Sequence, residues 1–234
     1  MAAGLGTRLR PHTLTTPKPM LEVAGRPILE WSLASLPPEI DEVVLVVGYL
    51  KEKIISRVGD AWGGRRVRYV VQSELKGTGA ALALCRPHLS GKFLVMNGDD
   101  LYGAADVAAA IGHELAILAK ATEVPGRFGA FRTDADGNLV DIVEGAEIER
   151  GGLVNAGLYV LDERFFEYPL VPIPARGGSA SGGKGLIEFG LPQTLVTMAK
   201  DHPIAILRAN FWLPIGYPED LEKATRILSE RVRK

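Results

Sequence analysis

Apolar positions in the first half of the chain fall into short unbroken runs separated by polar stretches of helical spacing. Val43-Val44-Leu45-Val46-Val47, ending at Gly48, is rich in β-branched residues and predicts a strand buried on both faces. Lys92-Phe93-Leu94-Val95-Met96 predicts a second buried strand, running straight into Asn97-Gly98-Asp99-Asp100. Pro27 suits a first helical turn, and Leu29, Leu33 and Leu36 after it fall on one helical face. A further helix is predicted over Lys51 to Val58, a strand over Arg66 to Val71, and an alanine-rich helix from about Thr78. Helices alternating with short buried strands predict an α/β fold, with a mostly parallel sheet covered on both sides. Ligands of such sheets bind at the carboxyl ends of the strands, here residues 72–78 and 97–100.

After about Phe128 the pattern changes. Phe128 to Arg132, Asn138 to Glu144 and Leu153 to Leu161 read as strands linked by turns, and Asp136-Gly137 is a hairpin signal. A smaller, partly antiparallel lobe is therefore expected in this half. Residues 172–185, with their glycine pairs, read as a loop; Tyr217 to Leu221 opens a terminal helix with proline and acidic residues in its first turn. There is no internal repeat. The expectation is one domain over residues 1–234, with one half at about 1–125 and the other at about 126–234.

Composition narrows the function classes. The 234 residues are 47% hydrophobic and 24% charged, ordinary for a globular domain, and the net charge of -1 gives no global field to recruit nucleic acid or an anionic membrane. Any basic groups that matter must act locally. Cys85 is the only cysteine, so no disulfide can form within the chain, and a reducing, cytoplasmic setting is expected. It sits in an apolar run and reads as a small core residue. No apolar stretch approaches the roughly 18 residues of a membrane helix. His12, His88, His113 and His202 lack metal-ligand spacing.

The chemistry concentrates near the start, in Ala2-Ala3-Gly4-Leu5-Gly6-Thr7-Arg8-Leu9-Arg10-Pro11 and Thr16-Pro17-Lys18-Pro19-Met20-Leu21. Glycines let the backbone approach a triphosphate and turn N–H groups toward its oxygens. Arg8 can fork onto phosphate oxygens, and Lys18 adds a point charge. A glycine turn with surface basic residues would share the first feature; two prolines rigidifying the approach of Lys18 separate the readings. The segment has neither the P-loop pattern nor the third glycine of a dinucleotide fingerprint.

These segments resemble the signature of the sugar-1-phosphate nucleotidyltransferases, A-A-G-x-G-T-R-L-x-P followed by P-K-P-[ML]. Further matches follow in order: Gln72 to Gly79, Asn97-Gly98-Asp99, Gly129, Glu144, Asn155-Ala156-Gly157, and Trp212 with Gly216. The resemblance implies a three-layer, Rossmann-like fold and transfer of NMP from an NTP to a sugar 1-phosphate, releasing pyrophosphate. It implies Arg8, Lys18 and Asp99 as the catalytic set, with Asp99 as the Mg²⁺ ligand; Asp100 better suits a cap of the next helix. Nucleotide binding would fall to Ala3, Gly4, Gly6, Thr7, Gln72, Gly77 and Thr78, and sugar binding to Gly129, Glu144 and Asn155. Gln72 could accept from N3–H and donate to O4 of uracil or thymine, pointing to UTP or dTTP; Glu74 nearby would better suit guanine.

Three positions depart from the pattern. Gly145 follows Glu144 where the family has a lysine that would contact the sugar phosphate. Pro214 stands where a second metal ligand is expected, with Asp220 nearby in sequence. Relatives carry an apolar strand ahead of Ala-Ala-Gly, whereas Met1 directly precedes Ala2, so a truncated first strand is expected. These departures keep open a non-catalytic paralogue that binds a nucleotide or sugar phosphate. A guanylyl- or cytidylyltransferase, or a different acceptor such as phosphocholine, also stays open.

Overall fold

The computed structural model describes residues 1–123, 126–175 and 187–232, and the side chains of 126–128, 144 and 232 lie outside that description. Most of the stretch read as a loop at 172–185 is therefore outside the described residues. In chain order the first half contains β1 (Glu22–Val23), β2 (Arg26–Pro27), α1 (Ile28–Ala34), β3 (Glu42–Val47), α2 (Lys51–Val58), β4 (Ala61–Trp62), β5 (Arg65–Val71), α3 (Gly77–Cys85), β6 (Lys92–Met96), β7 (Asp100–Tyr102), α4 (Ala104–Ile111) and β8 (Ala116–Ala121). The second half adds β9 (Gly126–Thr133), β10 (Leu139–Ile148), β11 (Leu153–Asp162), β12 (Val171–Pro174), β13 (Ile187–Gly190), α5 (Leu191–Met198), β14 (Ala205–Arg208), β15 (Trp212–Pro214) and α6 (Pro218–Val232).

The fold is α/β with a mixed central sheet. β3 pairs with β5 in parallel, as alternating helix and strand dictate. A larger sheet has the order β10-β9-β11-β8-β14, with β6 also paired to β11. Within it β14 joins β8 in parallel, whereas β9, β10 and β11 are antiparallel, because turns rather than crossover helices connect them. The hairpin expected at Asp136-Gly137 is present. Gly137 has φ +83, and Asp134 Oδ1 accepts from the N–H groups of Asp136 (3.0 Å) and Asn138 (2.8 Å).

Helices cover both faces of the larger sheet at its centre, which accounts for the burial of β8 and β11 along most of their length. One apolar cluster joins Ile117 and Leu161 to Leu82 of α3 and to Leu191 and Leu195 of α5. On the opposite side Leu118, Leu158 and Val160 meet Val107 and Ala110 of α4. A third cluster sets Leu45 and Val47 of β3 against Leu29 and Leu33 of α1 and Ile54 of α2. The terminal helix packs Ala224 and Leu228 on Leu9 and Leu21, so it braces the glycine-rich segment near the start.

Residues 1–3 run between the ends of β3 and β6. Ala2 N–H donates to Val46 O (2.7 Å), and Met1 O accepts from Gly98 N–H (2.8 Å). Ala2 bridges Val47 in parallel. Farther back along the two strands, a cavity of about 420 Å³ lies between them, lined by residues including Val44, Val46, Phe93 and Val95. Among the described residues, no helix is long and apolar enough to cross a membrane.

Candidate active site

The glycine-rich segment leaves the sheet at Ala3 and turns at Gly6, whose φ is +62. A Cβ there would meet Thr13 Cγ2 at 2.9 Å and Lys18 Cβ at 3.0 Å, so both conformation and space demand glycine. Thr13 Oγ1 donates to Gly6 O (2.8 Å), and Leu9, 1% exposed, anchors the following turn in the core. A Cβ on Gly4, by contrast, would meet no atom within 4 Å, which leaves that stretch of backbone approachable.

Lys18 sits between Pro17 and buried Pro19 in a tight turn, and the prolines hold the backbone that carries its side chain. Its Nζ lies 2.5 Å from Asp99 Oδ2. Asp99 occupies the turn from β6 into β7, placed by the strand end as expected. The pair is not deep: the lysine side chain is 11% exposed and the aspartate 34%.

Asp100 plays a different part from the helix cap expected of it. It begins β7, its side chain is buried, and Gly103 is the residue before α4. Its Oδ2 accepts from Trp212 Nε1 (3.4 Å) and Asn97 Nδ2 (3.5 Å). Burial, reinforced by the Asp99 charge, pushes its pKa up to about 7.

Gln72, 6% exposed, follows β5 and donates from Nε2 to Gly77 O (3.3 Å). Gly77 has φ +89, and a Cβ on it would come within 2.5 Å of Phe189 O. This tether orients the Gln72 amide. Thr78 Oγ1 accepts from Leu191 N–H (3.2 Å), tying the start of α3 to α5. Glu74 is engaged by Lys76, 2.5 Å away, and that ammonium holds its carboxyl below the ordinary value.

Opposite, Asn155 Oδ1 accepts from Gly157 N–H and its Nδ2 donates to Tyr159 Oη, both at 2.9 Å, across a register shift in the β11–β8 pairing. Gly157 has φ +71, and a Cβ there would collide with Asn97 Nδ2. Asn97 N–H in turn donates to Gly157 O (3.0 Å).

One cavity of about 550 Å³ brings these parts together. Ala3, Gly4, Gly6, Thr7, Arg8, Gln72, Gly77, Thr78, Asp99, Gly129 and Asn155 all line it. Lys18 instead lines an adjoining space of about 220 Å³, which Arg8 and Asp99 share. Glu144 belongs to β10, but its side chain lies outside the described residues. Glu188 and Gln193 also line the larger cavity and were not foreseen. They lie on β13 and α5, and only the packing of these elements against α3 brings them to the wall.

The three departures have structural consequences. Pro214 pairs with Asp100 in the β15–β7 ladder and presents no side-chain donor. Asp220 does not replace it, because Oδ2 accepts from the N–H groups of Gly216 and Tyr217, both at 2.8 Å, at the start of α6. Gly145 has φ +67, a backbone conformation that disfavours lysine. Among the described residues, no group of three His, Cys, Asp or Glu side chains could hold a metal ion. Asp99 offers one carboxylate, a donor set suited to Mg²⁺ if phosphate oxygens complete the shell. Cys85 is buried, and burial pushes its thiol up to about 11, which makes it inert.

A glycine-rich loop, Arg8, a strand-end carboxylate and a tethered amide surround one cleft, and Lys18 lines the space that adjoins it. The chain belongs to the nucleotidyl transferase family, whose model matches residues 1–231. It is 32% identical over 240 residues to the UTP–glucose-1-phosphate uridylyltransferase AglF of Haloferax volcanii, covering 98% of this chain and 95% of that protein. It is 29% identical over 234 residues to the bifunctional protein GlmU of Methanocaldococcus jannaschii, covering 99% of this chain and 54% of the relative. The chain thus spans about half the length of the GlmU relatives it matches. Two solved structures share the fold. HddC from Yersinia pseudotuberculosis, complexed with GMP-PN, has a TM-score of 0.71 at 24% identity, covering 97% of this chain and 96% of its own. A Bacillus anthracis protein assigned as a glucose-1-phosphate thymidylyltransferase has a TM-score of 0.77 at 20% identity, covering 97% and 92%.

Proposed function

We propose that this chain transfers NMP from UTP or dTTP to a sugar 1-phosphate, giving an NDP-sugar and pyrophosphate. The observation that carries the reading is a single cleft lined by Gly4, Arg8, Gln72, Gly77, Asp99, Gly129 and Asn155. In this reading the first half of a single domain holds the nucleotide and the second half, from about residue 126, holds the acceptor. The whole-length likeness to a uridylyltransferase supports the same donor and acceptor classes.

The acceptor is already an anionic phosphate, so no side-chain nucleophile is needed. Its oxygen attacks the α-phosphorus, the bond from that phosphorus to the bridging oxygen breaks, and pyrophosphate leaves. The protein's work is alignment and charge neutralisation. Gly4 and its neighbours bring the backbone up to the triphosphate, Arg8 and Lys18 offset charge on it, and Asn155 and Gly129 border the sugar. Asp99 would hold Mg²⁺, which would supply positive charge to offset that of the phosphates. The Gln72 amide, oriented by Gly77 O, has Oε1 and one N–H left to meet N3–H and O4 of uracil or thymine. Glu74 stays with Lys76, which argues against guanine recognition through its carboxylate. Cys85, the lone cysteine, fits a cytoplasmic enzyme.

The test is pyrophosphate release with Mg²⁺ across a panel of NTPs and sugar 1-phosphates. Turnover is expected with UTP or dTTP. No turnover with any pair, alongside tight NTP binding, would instead identify a non-catalytic, nucleotide-binding paralogue. A second reading, cytidylyl transfer to a different acceptor, is favoured by 31% identity to the CMP-5'-(3-aminopropyl)phosphonate synthase of Streptomyces rubellomurinus, of which this chain covers 37%. CTP and aminoalkylphosphonates therefore belong in the panel.

A further inference from the structure

We infer that Tyr217, at the start of the terminal helix, is a positioning residue that holds the Arg8 guanidinium over the triphosphate site before the nucleotide arrives. The inference rests on the proposed function and extends it to a residue outside the cleft.

Arg8 is exposed, and an unrestrained arginine on a glycine-rich loop would sample many rotamers. In the structure its guanidinium carbon lies 5.3 Å from the centroid of the Tyr217 ring, within the range of a cation–π contact. The backbone that carries the ring is fixed. Asp220 Oδ2 accepts from both Gly216 and Tyr217 N–H groups, and Ile215, 1% exposed, locks the preceding residue into the core. A Cβ on Gly216 would lie 3.8 Å from Arg8 Nη1, so the guanidinium lies against this stretch of backbone as well. Gly216, Arg8, Lys18 and Asp99 together line the smaller cavity.

Tyr217 is 49% exposed, although aromatic rings tend to be buried unless they serve a contact. Its exposed position leaves the ring little to contribute to packing and presents its face to the Arg8 guanidinium. A guanidinium already ordered over the phosphates spares the side-chain entropy that binding would otherwise cost. The ring would therefore act on nucleotide affinity, leaving the identity of the base to Gln72.

A double-mutant cycle on the full chain tests this, using UTP and dTTP with Mg²⁺. Tyr217→Ala should raise the KM for the nucleotide about two- to fivefold, the size of an exposed cation–π contact. Its Tm should stay within about 2 °C of wild type. Tyr217→Phe, which keeps the ring, should restore the wild-type KM. In an Arg8→Ala background, Tyr217→Ala should have no further effect. An equal penalty with and without Arg8, or failure of phenylalanine to restore the KM, overturns the inference while leaving the nucleotidyltransferase reading in place. Calorimetric titration of wild type with the same nucleotides separates the two levels, since absence of any binding overturns both.

Discussion

At the scale of single residues, Asp99 and Lys18 depend on each other. Their 2.5 Å pair is only partly buried, so it contributes about 1 kcal/mol or less to stability. Function should suffer far more than folding when it is broken. Asp99→Ala is expected to abolish measurable pyrophosphate release while Tm changes by no more than a few degrees. Retained turnover would remove Asp99 from the metal role. Lys18→Ala should cut turnover about a hundred- to a thousandfold, as for loss of one preorganised donor at a developing charge. These residues were legible in the sequence because glycine spacing, flanking prolines and a strand-end carboxylate each have a local physical meaning. Asp100 was not. Its burial depends on Trp212, 112 residues away, and no local pattern at 97–100 distinguishes a buried carboxylate from a capping one.

At the scale of elements, unbroken apolar runs identified β3 and β6, and the helical spacing of Leu29 and Leu33 identified the buried face of α1. The three strands β9, β10 and β11 were legible from alternation and turn signals. The strand β8 is not legible from the sequence although Ala116 to Ala119 are at most 1% exposed, because three of its six residues are alanine, which carries little β preference. Its place comes from β11 and β14 on either side. β3 and β6 face each other across the 420 Å³ cavity, and the Met1 nitrogen donates to Met96 O (2.7 Å). An extension of about five apolar residues ahead of Met1 would run a strand between the two edges. Such an extension should raise Tm by roughly 5 °C or more, at 2–4 °C per kcal/mol for a chain of this size. An unchanged thermal transition would show that the extension does not enter the slot.

At the scale of the whole molecule, the proposed cleft works only if the two halves keep their registration, and the contact between Asn97 and Gly157 extends the β6–β11 ladder that holds it. Asn97 leads into Asp99 and Asp100 in the first half of the chain; Gly157 follows Asn155 on β11 in the second. The Asn97 N–H donates to Gly157 O, and the Asn97 side chain fills the space a Cβ on Gly157 would need. Tyr102 reinforces the junction by donating from its hydroxyl to Ala156 O (2.9 Å). This dependence explains why Asn-Gly-Asp and Asn-Ala-Gly, separated by more than 50 residues, were readable as motifs but not as one contact. Gly157→Ala would force alanine into φ +71 and drive its methyl into the Asn97 amide. The strain should cost about 1–3 kcal/mol, visible as a lower urea midpoint. The displaced Asn97 should move the Asp99 carboxylate and the Asn155 amide together, so the KM values for nucleotide and acceptor should both rise and kcat should fall. Asn97→Ala in the same chain removes the colliding amide and should recover part of the lost stability without recovering activity. If Gly157→Ala instead weakened acceptor binding alone, the Asn97–Gly157 contact would not couple the two sides of the cleft, and their registration would rest on the β6–β11 ladder.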